Sequence, residues 1–353
     1  MTLQQLLDQG TEQLRSAGVP DAGLDARYLL LDTFGLGLAS FLAGRGRNVD
    51  GLPGGAEKAQ AYEALIARRA GRIPLQQLLG VQEFMGLEFS VNEHVLIPRQ
   101  DTETLVELVL EEQKQRDLDV LDVCTGSGCI AVSLARLGGY RSVTALDVSA
   151  EALKVAEKNA AALLGEYDGD FRLVQSDMFA GLEPKETEAQ PGQEPGKAEI
   201  LPGQEAGKAA ASRDLTRPSL TPQFDILVSN PPYIPSQVIE GLEPEVRDHE
   251  PRLALDGSPD GLKFYRILAS EGKRFLRPGG SVYFEIGWDQ AQAVSALLEQ
   301  EGFAQIRTVK DMAGMDRVVG AVLRTAADNG HQAPGRSRET VRTIQARPME
   351  QGI

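Results

Sequence analysis

Apolar positions near the start of the chain recur at the spacing of a helix face. The positions are Leu3, Leu6, Leu7 and Leu14. Side chains three and four residues apart lie on the same side of a helix, so this spacing predicts an amphipathic helix with buried leucines. Residues that favour helices also dominate the segments 25–32 and 61–70. The pattern therefore predicts a small helical bundle as a first domain over residues 1–80.

Three arginines, Arg68, Arg69 and Arg72, lie near the end of this predicted bundle. Charged side chains are rarely buried unless they are paired. We therefore interpret the three arginines as the solvated face of a helix. A separate bundle in front of a second domain is also open to a role in binding a partner.

Over residues 81–98 the helical spacing of apolar positions gives way to an alternation of apolar and polar residues. This alternation predicts a β-hairpin linker. Pro98 and the acidic residues that follow it are signals for the start of a helix. We interpret Asp101, Thr102 and Glu103 as capping residues of this helix, because acidic and hydroxyl side chains favour the first helical turn.

From residue 119 onward, short apolar runs alternate with helical segments. The predicted strands are 119–123, 142–147, 171–175, 224–229, 281–286, 306–310 and 317–323, and the predicted helices are 128–137, 150–164, 261–275 and 290–301. Repeated strand–helix units are typical of a mostly parallel, doubly wound α/β sheet, and the closing hairpin adds an antiparallel strand. The expected fold is a seven-stranded, Rossmann-like α/β domain over residues 99–325.

Two segments do not fit this domain. Residues 183–222 are rich in Pro, Gly, Glu and Gln, and the run 191–198 is nearly repeated as 202–209. Residues 326–353 are also polar. Such composition cannot bury enough apolar surface to offset the entropy of ordering. We therefore predict a disordered insertion and a disordered tail.

The net charge limits the classes of partner. At −15 over 353 residues, the chain repels a phosphate backbone, which argues against a stand-alone nucleic-acid-binding protein. The amino terminus lacks the basic and apolar regions of a signal peptide, and no apolar run approaches the roughly 20 residues that span a bilayer. We expect a cytoplasmic monomer with no membrane partner.

Cysteine usage makes a disulfide scaffold or a metal site an unfavourable interpretation. Cys124 and Cys129 are the two cysteines of the sequence, and both lie in one glycine-rich segment. Two thiols without a neighbouring histidine supply half of a zinc coordination shell. No metal is expected.

The first glycine-rich turn has the features of a nucleoside-binding loop. Gly126 and Gly128 follow the first predicted strand, and Asp147 ends the second strand about 20 residues later. Glycines let the backbone approach a ligand, and a carboxylate at that position can accept hydrogen bonds from two ribose hydroxyls. Because the glycine spacing also fits the dinucleotide fingerprint, an NAD-dependent oxidoreductase remains an alternative. The closing hairpin and the polar groups after the third and fourth strands oppose it.

The motif Asn230-Pro231-Pro232-Tyr233 directly follows the fourth predicted strand. Prolines stop the strand and stiffen the loop, and neighbouring carbonyls remain as acceptors. An amide before them and an aromatic ring after them suit a planar NH2 group. The motif alone does not distinguish a glutamine amide from the amino group of adenine or guanine, or from a simple strand-ending turn.

Segments along most of the chain resemble the N5-glutamine methyltransferases that modify peptide chain release factors. The matching segments are Asp25-Ala-Arg, Pro74-Leu-Gln-Gln-Leu-Leu-Gly80, Leu96-Ile-Pro-Arg-Gln-Asp-Thr-Glu103, Asp122-Val-Cys-Thr-Gly-Ser-Gly128, Asp147, Ser176-Asp-Met-Phe179, Ser229-Asn-Pro-Pro-Tyr-Ile234, Glu245-Val-Arg-Asp-His-Glu-Pro251, Asp260-Gly-Leu-Lys-Phe-Tyr265, Glu285-Ile-Gly287 and Asp316-Arg-Val318. The resemblance implies S-adenosylmethionine as methyl donor, and a glutamine in the Gly-Gly-Gln loop of a release factor as acceptor. It also implies that the helical domain helps to hold the release factor. Gln100 and Cys124 depart from the residues usual in the family.

The resemblance also assigns a role to each candidate site residue. The cofactor-binding residues are Cys124, Thr125, Gly126, Ser127, Gly128, Asp147, Asp177, Met178 and Asn230. The glycine loop is expected near the methionine end, Asp147 at the ribose, and Asp177 with Met178 at the adenine.

The acceptor site is expected at Asn230, Pro231, Pro232 and Tyr233. The Asn230 side-chain oxygen and the Pro231 carbonyl would accept the two amide hydrogens of the substrate, which would aim its nitrogen at the methyl group. The ring of Tyr233 would pack against the substrate amide. The loop over residues 235–261 would cover the bound peptide, and His249 within it is interpreted as an ordinary loop residue.

Three competing functions are kept. An amino-methyltransferase acting on adenine or guanine would use the same motif, but it normally brings a basic surface and a target-reading domain. A non-catalytic module that retained only cofactor binding is opposed by the intact Asn230 and glycines. The third alternative is the NAD oxidoreductase.

Overall fold

The computed structural model describes residues 1–182 and 223–325, together with the backbone of residues 342 and 343. The predicted insertion over residues 183–222 lies outside the described residues. The predicted tail over residues 326–353 does as well, except for a two-residue strand at Arg342–Thr343 that the sequence does not predict.

The first helices form a bundle around one apolar core, as predicted. The helices are α1 (Leu3–Ser16), α2 (Ala22–Phe34), α3 (Leu38–Gly44), α4 (Gly55–Ala70) and α5 (Leu75–Leu79). Helix α1 begins with a capping box, in which the Thr2 side chain accepts from the Gln5 backbone amide and the Gln5 side chain accepts from the Thr2 amide. All four leucines at the predicted spacing are buried in this core. The hydrophobic period therefore identifies the packed face of α1.

Within the described ranges, no single helix is long and apolar enough to cross a membrane. Helices α2 and α3 reach the length and apolar composition of a membrane span only when they are taken together, and they meet at an angle of 91°. Their apolar residues Leu29, Leu30, Phe34 and Phe41 are buried in the core of the bundle.

The linker is a β-hairpin formed by antiparallel strands β1 (Val81–Phe84) and β2 (Leu87–Ser90). Its two-residue turn places Met85 and Gly86 at positive φ, which is the geometry that joins short hairpin strands. Phe84 and Phe89 contact each other edge to face, with ring centroids 6.0 Å apart. Both rings are buried in the core of the following domain.

Seven strands and the two-residue strand form one mixed sheet. The strands are β3 (Asp119–Val123), β4 (Ser142–Asp147), β5 (Asp170–Gln175), β6 (Phe224–Ser229), β7 (Leu276–Glu285), β8 (Phe303–Lys310), β9 (Asp316–Leu323) and β10 (Arg342–Thr343). Their order is β10-β8-β9-β7-β6-β3-β4-β5. Strand β9 is antiparallel to both β7 and β8, and the other pairs are parallel. The predicted mixed α/β sheet is confirmed.

Helices cover both faces of the sheet over two apolar cores. The helices after the hairpin are α6 (Gln100–Glu112), α7 (Cys129–Ser133), α8 (Ala150–Leu163), α9 (Ser236–Ile239), α10 (Pro244–Arg247), α11 (Arg252–Leu255), α12 (Lys263–Gly272) and α13 (Ala291–Gln300). Of these, α9, α10 and α11 are short helices of the loop after β6, and none of their residues belongs to either core. The chain also has a π-helical turn at Leu134–Gly138 and 3₁₀ turns at Val49–Gly51, in the bundle, and Ala180–Leu182. The helix predicted over residues 261–275 is shorter at both ends, and the one predicted over 128–137 ends in the π-helical turn.

The order in which successive strands are added to the sheet reverses beside β3. Strands β4 and β5 extend the sheet on one side of β3, whereas β6 and β7 pair on the other side. Ligands of open α/β sheets bind at the carboxyl ends of strands where the order reverses. The glycine loop follows β3 and the Asn-Pro-Pro-Tyr motif follows β6, so the fold brings both to that position.

The interpretation of the arginines as one solvated face is wrong for two of them. Arg69 is 5% exposed, and its guanidinium lies 2.7 Å from Asp25 and 2.9 Å from Glu245. Arg72 lies 2.5 Å from the Glu245 carboxylate. Arg68 is exposed, as predicted. The sequence does not reveal the difference because Glu245 comes from the loop after β6.

Candidate active site

The glycine loop after β3 adopts a tight turn of left-handed residues. Cys124, Gly126 and Gly128 have φ values of 65°, 55° and 80°. The Thr125 hydroxyl donates to Asp122 at 2.6 Å, and the Gly126 amide donates to the Asp147 carboxylate at 2.8 Å. A Cβ on Gly128 would lie 3.1 Å from the Ala156 side chain. Gly128 therefore permits close packing of the loop on α8.

Asp147 ends β4 with its carboxylate directed at the loop. One oxygen accepts from Gly126 and the other from the Ser149 amide at 2.9 Å. Burial raises the pKa of Asp147, while hydrogen bonds from Ser149, Gly126 and Val148 act to lower it. Each carboxylate oxygen has more than one lone pair, so it can accept from a ligand hydroxyl as well.

A cavity of about 290 Å³ opens between this loop, the motif after β6 and the 235–261 loop. The predicted site residues that line it are Cys124, Thr125, Gly126, Ser127, Asp147, Asp177, Met178, Asn230 and Pro232. Gly128, Pro231 and Tyr233 are not among the lining residues. The fold thus brings together the ends of four strands, β3, β4, β5 and β6, as the sequence predicts.

The cavity fits a nucleoside-bearing cofactor. The space next to the Gly126 Cα is open, because a Cβ there would meet no atom within 4 Å. The hydroxyl of Ser127 is buried and has no hydrogen-bond partner within residues 1–182 and 223–325. Buried polar groups in native proteins nearly always have a hydrogen-bond partner, so this hydroxyl is open to a bond from a bound group. Met178 lines the cavity and is buried beside the exposed Asp177, so one wall of the cavity is apolar.

The Asn-Pro-Pro-Tyr motif is held by side chains from other elements. The Asn230 amide nitrogen donates to the Thr102 hydroxyl at 3.3 Å, and the Tyr233 hydroxyl donates to Glu285 at 3.4 Å. The Gln290 amide donates to the Tyr233 carbonyl at 3.0 Å. No donor contacts the Pro231 carbonyl in the described part of the chain. This carbonyl is therefore an available acceptor beside Asn230.

Asp101 and Glu103 lie in the first turn of α6, as predicted, but the interpretation of residues 101–103 as side-chain caps is wrong. No side chain caps the start of α6 at Arg99. Thr102 instead contacts Asn230, and Glu103 accepts from the Met85 amide at 2.7 Å. The carboxylate of Asp101 lies 3.2 Å from Arg317. These residues connect α6 to the hairpin, to β9 and to the motif after β6.

The 235–261 loop borders the cavity and is attached to the helical bundle. Pro251, Leu253 and Ala254 line the cavity. The ring nitrogen of His249 lies 3.1 Å from the Gly71 carbonyl, and Gln77 donates to the His249 carbonyl at 2.9 Å. Because His249 faces the bundle, it is an unsuitable general base for the cavity. The prediction that the loop covers a bound peptide is compatible with this position.

Several residues around the cavity were not assigned a role from the sequence. Arg99, Lys263 and Phe264 line the cavity, and Glu285 and Arg317 support the motif from the ends of β7 and β9. Only Glu285 had a detectable signal, because it ends the parallel strand β7 and the carboxyl ends of parallel strands meet at one edge. Side-chain pairing across that edge could not be deduced from spacing alone.

Two deeply buried carboxyl groups lie near the site, and because of them we expect the stability of the fold to fall as the pH rises. Burial raises the pKa of Asp122 from 3.8 to about 7 and that of Glu285 from 4.5 to about 7. Both groups bind a proton more tightly in the folded state, so their contribution to stability is complete below about pH 4 and is lost as the pH rises through 7. We expect the urea-derived free energy of unfolding to fall between pH 5 and pH 8. Asp122→Asn should reduce this fall, and an unchanged fall in that variant would contradict the raised pKa.

Matches to family models divide the chain at the same place as the structure. Residues 5–80 match the PrmC N-terminal domain, and residues 120–189 match a methyltransferase domain. The release factor glutamine methyltransferase of Geobacter sulfurreducens is 37% identical over 319 residues, which cover 90% of this chain and 96% of that protein. This chain belongs to the release factor glutamine methyltransferase family. The predicted resemblance is confirmed.

A second relative bears the same family name. The release factor glutamine methyltransferase of Moorella thermoacetica is 39% identical over 319 residues, with 90% of this chain and 97% of that protein covered. A solved methyltransferase structure from Pyrococcus furiosus has a TM-score of 0.42 and 15% identity, and covers 75% of this chain and 100% of that one. The relatives span both the helical bundle and the sheet domain, so family membership applies to both.

Proposed function

We propose that this protein transfers the methyl group of S-adenosylmethionine to the side-chain amide nitrogen of the glutamine in the Gly-Gly-Gln motif of peptide chain release factors. The observation that carries the proposal is the pair of acceptors at the end of β6, beside the cavity formed by the glycine loop. The Asn230 side chain lines that cavity, and the adjacent Pro231 carbonyl has no donor among the described residues. A primary amide supplies the two N–H groups that such a pair can bind.

The cofactor side of the cavity is built from the ends of β3, β4 and β5. S-adenosylmethionine supplies an electrophilic methyl group bound to a sulfonium. The loop over residues 124–128 would hold the methionine end, with its backbone close to the ligand at Gly126. Asp147 would accept from the ribose hydroxyls, and Met178 would pack on the adenine next to Asp177. The open space at Gly126 and the unpaired Ser127 hydroxyl support this assignment.

The acceptor side compensates for the weak nucleophilicity of an amide. The amide lone pair is delocalised into the carbonyl, so the enzyme must orient the nitrogen and favour a more tetrahedral geometry. The Asn230 side-chain oxygen and the Pro231 carbonyl would accept the two amide hydrogens and direct the lone pair at the methyl group. As positive charge develops on the nitrogen, the same two dipoles stabilise it. No strong base is needed before methyl transfer.

Tyr233 has two roles in this proposal. Its ring is proposed to pack against the planar substrate amide. Its hydroxyl and carbonyl groups, bonded to Glu285 and Gln290, fix the position of the loop. A substrate group that cannot donate two hydrogen bonds would leave one acceptor unpaired and would be rejected.

Methylation of an amino group of adenine or guanine is the alternative activity. Its planar NH2 would satisfy the same acceptors. The net charge of −15 disfavours a nucleic-acid substrate, and the first domain matches the helical domain of the glutamine methyltransferase family rather than a reader of nucleic acid.

We also propose that the protein acts as a cytoplasmic monomer with no nucleic-acid or membrane partner. Size-exclusion chromatography with light scattering can test the oligomeric state.

The substrate assignment predicts a specific labelling result. Incubation with methyl-labelled S-adenosylmethionine should label a release factor that carries Gln in its Gly-Gly-Gln motif, and should not label the same factor with Ala at that position. Total RNA and DNA, added in separate reactions, should remain unlabelled. Equal labelling of the Gln and Ala proteins would contradict the glutamine assignment, and label in nucleic acid would favour the alternative.

A further inference from the structure

The 235–261 loop supplies one wall of the cavity through a short run of residues, 251–254, which we call the wall segment. Pro251, Leu253 and Ala254 of this segment line the cavity. The helix at this position, α11, has four residues, and a helix of that length is not stable by itself. The position of the wall segment therefore depends on the contacts at its two ends.

The end that follows the wall segment is attached to the Asn-Pro-Pro-Tyr motif. The Ile234 amide donates to the Leu255 carbonyl at 3.0 Å, and the Gly257 amide donates to the Ile234 carbonyl at 2.9 Å. Ile234 directly follows Tyr233 in the chain. These two backbone bonds fix one end of the wall segment to the acceptor side of the site, and they do not depend on any side chain.

The other end of the wall segment begins directly after Glu250, whose side chain is 1% exposed. One of its carboxylate oxygens accepts from the Ile97 amide at 3.3 Å, and the other accepts from the Arg99 guanidinium at 2.6 Å. All of residues 94–99 except Ile97 line the cavity, so this segment before α6 forms a second wall. Glu250 is not itself among the described lining residues. Its carboxylate thus joins two walls of the cavity from behind.

We propose that Glu250 is a positioning residue for cofactor binding, which holds the wall segment against residues 94–99 and so keeps the two walls at the spacing that binds S-adenosylmethionine. Glu250 would act through the residues of both walls rather than through a contact of its own with the cofactor. The inference rests on S-adenosylmethionine as the cofactor and is independent of which group receives the methyl.

A buried carboxylate suits this position because it supplies two acceptor oxygens for two donors from the other wall. A hydrogen bond between a guanidinium and a carboxylate is shorter and about twice as strong as one between neutral groups. The Arg99 side chain is 42% exposed, so water can replace Glu250 around the arginine, whereas the buried carboxylate has no such substitute. A charge left buried without its partner is strongly unfavourable. The pair therefore favours the arrangement in which the two walls are in contact.

The contacts of the preceding residue serve a different attachment. His249 is bonded to the helical bundle through the Gly71 carbonyl and the Gln77 side chain. These bonds attach the loop to the first domain, not to residues 94–99. The bonds of Glu250, by contrast, connect the loop directly to the second wall of the cavity.

Glu250→Gln tests the proposal with little change of shape. A glutamine amide has one acceptor oxygen where the carboxylate has two, so one of the two donors on the other wall loses its partner. We expect the S-adenosylmethionine Kd, measured by calorimetry without a methyl acceptor, to rise about ten-fold, which corresponds to about one lost hydrogen bond. An unchanged Kd in the folded variant would show that the other contacts of the loop fix the wall segment, and would overturn the proposal.

Glu240→Gln is the matched control. The Glu240 carboxylate also bonds the wall segment, at 2.9 Å from the Arg252 guanidinium, but it belongs to the same loop and is 68% exposed. Surface ion pairs contribute little, so the same change of side chain should leave the Kd near that of the wild type. A rise equal to that of Glu250→Gln would show that any loss of charge from the loop weakens binding, and would overturn the role of the second wall.

Arg99→Met completes a double-mutant cycle with Glu250→Gln. If the two side chains act as a pair, Glu250→Gln should raise the Kd by a smaller factor in the Arg99→Met background than in the wild type. This comparison separates the pair from any direct contact between Arg99 and the cofactor, because that contact is lost in both members of the Arg99→Met comparison. Equal fold-changes in the two backgrounds would overturn the pairing.

Amide hydrogen exchange of the cofactor-free protein provides a second measurement in case Glu250→Gln does not fold. Because its side chain is partly exposed, Arg99 can be replaced by Met without loss of the fold. Release of one end of the wall segment should speed exchange at Ala254 and Asp256, whose amides donate to carbonyls of the same segment. Unchanged exchange would overturn the proposal. Binding of S-adenosylmethionine by the wild type, in the calorimetric series, tests the cofactor assignment separately.

Discussion

Asn230→Ala is expected to lower methyl transfer to the release factor by about 100- to 1,000-fold, the range found when one preorganised hydrogen-bonding group is removed from an active site. The substitution deletes the side-chain oxygen that would accept a substrate N–H and stabilise positive charge on the nitrogen. Because the charge develops only during the reaction, the loss should appear mainly in kcat rather than in KM. Single-turnover transfer of labelled methyl measures it directly.

Cofactor affinity is the internal control for Asn230→Ala. The glycine loop and Asp147 come from β3 and β4, and their hydrogen bonds do not involve Asn230. Binding of S-adenosylmethionine, measured by calorimetry, should therefore survive the substitution. Loss of cofactor binding in parallel with activity would mean that Asn230 serves the cofactor rather than the substrate amide.

The sheet was largely predictable because residues with strong turn preferences mark the ends of its inner strands. The predicted strands 119–123, 142–147 and 224–229 match β3, β4 and β6 at both ends. Strand β3 ends at the glycine loop, β4 ends at Asp147, and β6 ends at the Asn-Pro-Pro-Tyr motif. Strand β7 begins five residues earlier than predicted, because Pro278, Gly279 and Gly280 are typical of a turn. In the structure these residues continue the strand, and β6 and β7 pair with a shift in register.

The site was predictable only as far as it depends on strand ends. The glycine loop and the Asn-Pro-Pro-Tyr motif are local patterns, and the topology of a parallel sheet brings them together. The contact between Asn230 and Thr102 joins residues 128 positions apart. Spacing within the sequence contains no information about such a pair. A threonine in the first turn of a helix has a local explanation as a cap, and the local explanation was the wrong one.

The attachment of the helical bundle to the loop beside the cavity also depends on residues that are far apart in the sequence. Arg69 pairs with Asp25, 44 positions away in α2, and with Glu245 from the loop that borders the cavity. The exposed fractions of these three side chains are 7%, 8% and 16%. Burial acts to raise the pKa of Glu245, but hydrogen bonds from Arg72 and Arg69 keep it below its ordinary value. The Arg69 guanidinium is thus one of the contacts that join the first domain to the loop of the proposed peptide site, beside those of Arg72 and Gln77.

Arg69→Met is expected to lower the free energy of unfolding by about 3–5 kcal/mol, because removing one member of a buried ion pair leaves a buried charge without its partner. Asp25 would lose the hydrogen bond at 2.7 Å, whereas Glu245 would keep Arg72. The looser 235–261 loop should also raise KM for the release factor. Urea unfolding and steady-state kinetics measure the two effects.

Arg68→Met is the matched control for Arg69→Met. Arg68 is the preceding residue of α4 and is exposed, so the same change of side chain should alter stability by no more than about 0.5 kcal/mol. Equal effects of the two substitutions would show that the bundle and the loop are not joined through Arg69. A loss of stability in Arg69→Met with an unchanged KM would restrict its role to holding α2 and α4 together, since only the contact with Glu245 connects Arg69 to the loop beside the cavity.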